Sequence, residues 1–431
     1  MATVVVVREY DPEKDREKVD AVERECEVGP SEELSLYTDH MGDPICRVRN
    51  CPAFLMLVAE MGEEKEIVGM IRGCIKTVTC GKRLCRNSKN INSSNTSTTV
   101  NSNSNNNNNN NNMASLDSCI PTKQVPVYTK VGYILGLRVP PPYRRMGIAS
   151  KLVEKMEEWV RESGGEYCYM ATENDNIASV KLFTTKCGYS KFRTPAILVN
   201  PVFAHRVRVP RRAAILKLCP RDAELLYRLR FSTSEFFPRD IDAVLNNKLT
   251  LGTFLAVPRG GAGERPWGGA AEFLADPPES WAVVSVWNLQ DVYKLEVRGV
   301  PAAQRALARA TRAVDRALPW LGLPSFPELF RPFGAHFLYG VGGEGPRAGE
   351  MVRALCLHAH NLAKEHGCAV VATEVASREP LRLAIPHWKR LSCDEDLWCI
   401  KRLGEDYSDG AVGDWTKSPP GLSIFVDPRE V

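Results

Sequence analysis

Two arginines and a glycine at the start of a predicted helix form the segment of this 431-residue chain best suited to bind an anion. Arg144 and Arg145 are followed by Gly147, and the apolar spacing of a helix begins at Ile148. The first N–H groups of a helix and its dipole favour negative charge, guanidinium groups add charge-assisted donors, and glycine leaves room for a ligand. The segment therefore predicts a pyrophosphate site. An ordinary strand-to-helix turn explains the same residues equally well.

A central sheet with helices is predicted to position this turn. Residues 131–139 have the composition of a strand, and the apolar residues from Ile148 to Val160 fall on one helix face. Such an order is typical of an α/β (α+β mixed sheet) fold. The other elements of the first half are predicted as strands at 54–59, 67–71 and 167–171 and a helix at 176–186.

The second half of the chain repeats this order of elements. Ala171-Thr-Glu173 recurs as Ala372-Thr-Glu374, and Phe54-Leu55 recurs as Phe254-Leu255. The strands and helices predicted around these strings agree as well, so we expect a duplicated architecture. The predicted boundaries are a first domain at 1–199, a basic linker at 200–212, a second domain at 213–405 and a tail at 406–431.

Two segments have unusual composition. Between Asn87 and Asn112, 23 of 26 positions are Asn, Ser or Thr, which predicts a disordered insert in the first domain. The linker carries Arg206, Arg208, Arg211 and Arg212, which suit a solvated connector, a nuclear import signal or a contact for an acidic partner.

The overall composition excludes several classes of protein. A formal net charge of +4 is too small for direct nucleic-acid binding to be expected. The apolar run before Arg8 is too short for a signal peptide, and the 14 cysteines form no CxxC pair. We therefore expect free thiols, no metal site, no membrane contact and a location in the nucleus or cytoplasm.

Two motifs resemble a known family. The spacing Arg144-x-x-Gly147-x-Ala149 is similar to the acetyl-CoA pyrophosphate loop of the GCN5-related N-acetyltransferases (GNAT), and the stretch 174–189 resembles that family's second motif. Four longer strings narrow the resemblance to the plant Hookless family of probable N-acetyltransferases. They lie at 77–81, 231–242, 339–347 and 392–403.

This resemblance implies a fold and a function. The fold would be a tandem GNAT-like acyl-CoA N-acyltransferase fold with a degenerate C-terminal half. The function would be transfer of acetyl from acetyl-CoA to a primary amine, on a protein lysine or a small amine. The family is linked to ethylene- and auxin-controlled differential growth. A non-catalytic acyl-CoA-binding or scaffold protein is the alternative.

The resemblance also assigns roles to residues. Asn176 would contact the cofactor. Phe183 stands where many relatives have a tyrosine that protonates the departing thiolate, and phenylalanine has no proton to give. The backbone groups that would pair with the pantetheine arm belong to Leu137, Arg138 and Val139. The residues that would surround the pyrophosphate are Arg144, Arg145, Met146, Gly147, Ile148, Ala149 and Ser150.

The implied reaction, attack of an amine on a thioester, needs a base. A lysine amine with a pKa of about 10.4 must first lose a proton. Glu173, at the end of a predicted strand, is the candidate base, and a solvated loop carboxylate is the alternative interpretation. Tyr169 on the same strand is a candidate substitute for the missing acid, with ordinary sheet packing as the alternative.

The corresponding turn of the second half predicts no cofactor site. Its sequence, 342–349, contains Glu344, which would repel a pyrophosphate, and Pro346, which has no N–H to donate. We therefore expect that the second half does not bind acyl-CoA.

Overall fold

Strands and helices alternate along the residues that the computed structural model describes, which are 5–26, 35–86, 123–260, 267–404 and 413–431. The predicted insert, Asn87–Asn112, lies outside them. The strands are β1 (Val5–Glu9), β2 (Ser35–Asp39), β3 (Ala53–Met61), β4 (Glu66–Arg86), β5 (Lys123–Arg138), β6 (Tyr167–Glu173), β7 (Ser190–Arg193), β8 (Ala196–Pro201), β9 (Ala213–Leu218), β10 (Thr250–Pro258), β11 (Trp281–Asn288), β12 (Lys294–Arg298), β13 (Ala335–Glu344), β14 (Val370–Val375) and β15 (Asp396–Arg402). The helices are α1 (Arg16–Glu25), α2 (Ile148–Glu162), α3 (Ile177–Lys181), α4 (Pro220–Phe231), α5 (Ile241–Leu245), α6 (Ala270–Ala275), α7 (Ala302–Ala317) and α8 (Ala348–Glu365).

Two large sheets contain most of these strands. The first has the order β1-β3-β4-β5-β6-β15-β7 and the second the order β8-β14-β13-β11-β10-β9. In each sheet one central pair is parallel, β5 with β6 and β13 with β14, and the other neighbours are antiparallel. The two sheets therefore repeat one architecture, and the prediction of a tandem α/β fold is confirmed.

Each half supplies one strand to the sheet of the other half. β8 pairs with β14 in the second sheet, while β15 lies between β6 and β7 in the first. The predicted domain boundaries at 199 and 405 are therefore wrong. The local pattern identifies both segments as strands, but it does not say which sheet edge each one meets.

A fragment that ends at residue 199 is expected not to fold alone, because its sheet lacks β15. The backbone groups of β6 that pair with β15 would then have no partner, and β7, whose neighbour is β15, would have no strand to pair with. Circular dichroism of the fragment should show no cooperative thermal transition, whereas the full chain should show one. Cooperative unfolding of the fragment, together with acetyl-CoA binding, would contradict the strand exchange.

Helix α2 packs on one face of the first sheet with the side chains that the sequence pattern predicts. Together with Ile134 and Met170 of β5 and β6 they form one apolar cluster, which fixes the start of α2 near the ends of these strands. Burial of each such side chain contributes about 1.5–3 kcal/mol. The buried α2 residues of the pattern are Ile148, Leu152, Val153, Met156 and Val160.

The opposite face of the first sheet is covered by the second half and by residues 413–431. Tyr169 and Trp398 of this face pack on Phe236, and Trp415 packs on the same ring with 4.7 Å between centroids and an interplanar angle of 44°. The predicted tail is therefore wrong for residues 413–431, which fill the space between the two sheets.

The strand pairs align the two halves differently from the recurring Ala-Thr-Glu strings of the sequence. The last parallel pair before the strands separate is Ile134–Met170 in the first sheet and Leu338–Thr373 in the second. Met170 thus corresponds to Thr373, whereas the offset between the Ala-Thr-Glu strings would align it with Val371. The two halves therefore share their strand order, but the alignment given by the Ala-Thr-Glu strings differs by two residues from the structural one.

Candidate functional site

β5 and β6 separate at their carboxyl ends and leave a cleft in the first sheet. They pair with each other in parallel as far as Ile134 and Met170. Beyond these residues β5 continues to Arg138 and β6 to Glu173, and the two strands no longer pair with each other. The cleft has a volume of about 1360 Å³. Backbone groups that would join the two strands in a continuous sheet are therefore available to an extended ligand.

A bulge in β5 shapes one wall of the cleft. The register of β5 against β4 shifts between the pairs Arg72–Leu135 and Met70–Arg138. Gly136 has a φ of 61°, and a Cβ there would lie 2.4 Å from Nη1 of Arg72. A side chain is excluded both by the left-handed backbone and by this close approach. The residues predicted to pair with a pantetheine arm, Leu137, Arg138 and Val139, line the cleft just beyond the bulge.

The start of α2 presents hydrogen-bond donors to the cleft. The first helical hydrogen bond runs from N of Lys151 to O of Gly147, so the N–H groups of Ile148, Ala149 and Ser150 have no acceptor within the helix. Gly147 precedes the helix with a φ of 81° and no side-chain cap. A Cβ at Gly147 would have no atom within 4 Å, so this position borders open space that an anion can enter.

The residues before Gly147 differ in their surroundings. Arg144 and Arg145 both line the cleft, and Nε of Arg144 donates to O of Val139 at 3.1 Å, which ties the loop to the end of β5. Met146 is 49% exposed and does not line the cleft. The residues predicted to bind the anion therefore all line the cleft, apart from Met146.

Asn176 and Phe183 lie on the other wall. Asn176 caps α3, because its Oδ1 accepts from N of Ser179 at 3.1 Å, and its amide nitrogen is the atom left to contact a ligand. Phe183 is buried in the π-helical turn Leu182–Lys186 and packs edge-to-face on Tyr189, with 5.1 Å between ring centroids. The cleft wall therefore has a phenyl ring, without a hydroxyl, where a thiolate acid would be needed.

Three carboxylates lie near the end of β6, and one of them borders the cleft. Glu173 ends β6 and lines the cleft, and Asp396 lies directly across from it in β15. Glu374 comes from β14 of the second sheet, where its Oε1 accepts from Nε1 of Trp398 at 3.0 Å. We call Glu173, Asp396 and Glu374 the acidic cluster. Sequence reasoning found Glu173 and missed the other two, because they reach this place only through the strand exchange.

Burial and mutual repulsion raise the pKa values of the acidic cluster. Burial raises the pKa of Asp396 to about 7, and the nearby Glu173 adds to the shift. Burial, followed by Asp396, raises the pKa of Glu374 well above its usual range. Burial and Asp175 raise the pKa of Glu173. Carboxylates that titrate near neutral pH can accept a proton from an ammonium group at that pH.

Tyr169 does not reach the cleft. Its side chain is fully buried on the face that points away from α2, and its hydroxyl donates to Oε1 of Glu430. Burial raises the pKa of Tyr169 well above its usual range. The structure therefore contradicts the prediction that Tyr169 replaces the missing acid, and ordinary sheet packing explains this residue.

The equivalent helix start in the second half has its charged side chains paired within the protein. Glu344 pairs with Arg230 at 2.9 Å. The backbone N–H of Arg347 donates to Oγ of Ser280 at 3.1 Å, and its guanidinium binds Glu350 at 2.9 Å. The absence of acyl-CoA binding by the second half stays a prediction.

Comparison with known proteins places the chain in a family. A model described as the acetyltransferase (GNAT) family matches residues 106–189. The chain is 64% identical over 435 residues to the Arabidopsis thaliana protein "Probable N-acetyltransferase HLS1-like", with 100% of both chains covered. The chain belongs to the plant Hookless-like GNAT family. A GNAT relative from Oryza sativa subsp. japonica, "Acetyl transferase GW6a", is 39% identical over 470 residues and covers 100% of this chain and 98% of its own.

A solved structure supports the tandem GNAT fold. Saccharomyces cerevisiae N-myristoyltransferase with bound myristoyl-CoA has a TM-score of 0.50 and 10% identity, covering 92% of this chain and 79% of its own. The family match and the curated relatives make the chain a GNAT acyltransferase, and its cofactor is an acyl-CoA. Within the described ranges, no helix is long and apolar enough to span a membrane. In the same part of the chain, no three His, Cys, Asp or Glu side chains are grouped so that they could hold a metal ion.

Proposed function

We propose that this GNAT chain transfers an acetyl group from acetyl-CoA to a primary amine, on a protein lysine or a small amine. The observation that carries the proposal is the cleft of about 1360 Å³, which joins a donor-rich helix start to a carboxylate at its open end. The residues present fit the cofactor. The free N–H groups before Lys151 suit a pyrophosphate, and the unpaired backbone of β5 suits an amide-containing arm.

Different residues of the chain would carry out different steps of acetyl transfer. When bound, acetyl-CoA supplies an acyl group activated as a thioester. Backbone N–H groups of the separated β5 would polarise the carbonyl. Glu173, or a water that it holds, would take the proton of the ammonium group. Asp396 lies across from Glu173 in the β6–β15 pair, and the charge of Glu173 helps to keep Asp396 protonated. Phe183 supplies no acid, and a thiolate is able to leave without one.

A second cavity lies beside the acidic cluster and suits the acceptor. Its volume is about 330 Å³, and its lining includes Asn174, Leu397 and Ala376. Asn174 follows Glu173 in the chain, and Leu397 follows Asp396. A cavity of this size can admit a lysine side chain or a small amine but no folded domain. Its lining also includes Lys191 and Arg193 and no carboxylate, so it would favour the uncharged amine over the ammonium group.

A scaffold that binds acyl-CoA without transfer is the second candidate function, because Phe183 removes the usual acid. We propose no direct nucleic-acid contact. A role in hormone-controlled differential growth, in the nucleus or cytoplasm, is part of the first proposal and rests on the resemblance to the Hookless family.

Gly147→Trp is expected to weaken acetyl-CoA binding at least 100-fold in isothermal calorimetry. The indole would fill the open space before α2 and shield its N–H groups. Gly62→Trp is the matched control, since Gly62 has a φ of 77° and a Cβ there also meets nothing within 4 Å, in the turn between β3 and β4. Equal affinities of the wild type and Gly147→Trp would refute the cofactor site.

A further inference from the structure

Helix α7 carries an apolar face that no described part of the chain covers. Leu307 and Val314 are 67% and 47% exposed, and Trp320 in the turn that follows the helix is 72% exposed. Leu321 and Leu323 extend the same patch. Continuous exposed apolar surface of this kind marks interaction sites. The exposed alanines of the helix are Ala302, Ala303, Ala306, Ala310, Ala313 and Ala317.

The other side of α7 fastens the helix to the body by polar contacts. Asp315 is buried and accepts from N of Ala204 at 2.8 Å and from Nδ1 of His205 at 2.6 Å. Nη1 of Arg312 donates to O of Val202 at 3.0 Å. These contacts hold α7 in one position, so its exposed face is already formed before any partner arrives.

The exposed charges of α7 itself are all positive. Arg305, Arg309, Arg312 and Arg316 follow the helical spacing of four, three and four residues, so they form one flank of α7. Arg316 pairs with Glu328 at 3.6 Å. The buried Asp315 is the one acidic residue of the helix, and residues 318–324 carry no charge. The start of the arginine-rich linker lies beside the helix, since Val202 and His205 contact Arg312 and Asp315.

We propose that α7 and the turn Pro319–Leu321 dock an amphipathic helix of another protein, with an apolar face and acidic flanks. Protein interfaces are enriched in Trp and Arg and depleted of Asp and Glu, and the exposed surface of α7 and this turn has the same composition. An alanine face makes contact only with a closely approaching helix, because its methyl groups are short, whereas helices at a lipid surface bury large side chains. A second copy of this chain would present the same arginines and no exposed acid on α7. This docking does not depend on the proposed transfer reaction.

Two synthetic amphipathic peptides serve as probes with the full chain. One has leucines on one helical face and glutamates on both flanks, and the other has lysines in place of the glutamates. Fluorescence anisotropy should show at least tenfold tighter binding of the acidic peptide, and hydrogen exchange should show protection of 302–323. Leu307→Asp/Val314→Asp should weaken this binding at least tenfold, and Arg305→Glu/Arg309→Glu should reverse the preference between the peptides.

The control for the apolar variant is Leu229→Asp on α4, where the native side chain is 64% exposed. It should bind the acidic peptide as the wild type does, and acetyl-CoA affinity should be unchanged in every variant, which shows that each one folds. Equal affinity for the two peptides, unchanged affinity of the α7 variants, or protection elsewhere would overturn the proposal. So would binding of phosphatidylserine vesicles instead of the acidic peptide, or self-association that the α7 variants abolish.

Discussion

Glu173→Gln is expected to lower the single-turnover rate of acetyl transfer by about 10²- to 10³-fold at pH 8, the range in which removal of a general base falls. Glutamine keeps the size of the side chain that borders the cleft but cannot accept the proton of an ammonium group. Acetyl-CoA affinity should change little, because Glu173 ends β6, away from the donors of α2. Asp394→Asn is a suitable control, since Asp394 is 53% exposed and paired with Arg382. A Glu173→Gln rate equal to that of the control would exclude this carboxylate as the base.

Asp396→Asn is expected to separate stability from activity. The folded pKa of Asp396 is about 7, above its ordinary value of 3.8, so the folded state holds its proton more tightly than the unfolded state does. The stability that this group contributes is full below about pH 4 and falls as pH rises to about 7. Asparagine removes this loss, which should raise the free energy of unfolding at pH 8 by about 2–4 kcal/mol.

The same substitution should leave the pH dependence of transfer unchanged. Burial and Asp175 raise the pKa of Glu173, whereas Asp396, with a pKa of about 7, holds its proton at lower pH, so asparagine removes no charge from the surroundings of Glu173 there. Guanidinium unfolding at pH 5 and pH 8, together with the rate profile, measures both expectations. A variant with no gain in stability at pH 8 would contradict the buried charge of Asp396, and a displaced rate profile would show that this charge acts on Glu173.

The second large effect is expected at a buried ion pair beneath Tyr169. Nζ of Lys76 lies 2.5 Å from Oε1 of Glu430, and the two side chains are 0% and 5% exposed. Glu430→Ala should lower the free energy of unfolding by about 3–5 kcal/mol, because it leaves a buried ammonium group without its nearest counter-charge. The Tyr169 hydroxyl would also lose its acceptor.

Equilibrium denaturation with two companion variants checks this expectation. Glu344→Ala breaks the exposed pair with Arg230, whose side chains are 46% and 41% exposed, and should lower stability by less than about 1 kcal/mol. Lys76→Met/Glu430→Leu removes both charges and should recover most of the loss. A Glu430→Ala variant as stable as Glu344→Ala would mean that the buried pair contributes little.

The parts of the site that the sequence predicts are those that one short segment builds. The donors before Lys151, the turn at Gly147 and the wall from Leu137 to Val139 all follow from a strand, a loop and a helix that are adjacent in the chain. The glycine inside β5, Gly136, was also a local signal for a bulge, since a glycine in a strand often marks one.

The parts that the sequence does not predict depend on distant pairing. Asp396 reaches Glu173 only because β15, which follows the second half in the chain, pairs with β6 in the first sheet. Tyr169 alternates with Met170 along β6, so one of them had to face away from α2. That Tyr169 would meet Glu430 there follows from the packing of residues 413–431, and no local pattern encodes it.

Single-turnover acetyl transfer by the full chain tests the central claim most directly. The chain is mixed with acetyl-CoA and, in separate reactions, a histone-tail peptide, a polyamine and a small primary amine, and both released thiol and acetylated amine are followed from pH 6 to pH 9. We expect one acetyl group transferred per chain to at least one of these amines, at a rate that rises with pH and is lost in Gly147→Trp. Tight acetyl-CoA binding without transfer to any amine would contradict the proposed enzymatic activity and would favour a scaffold that binds acyl-CoA.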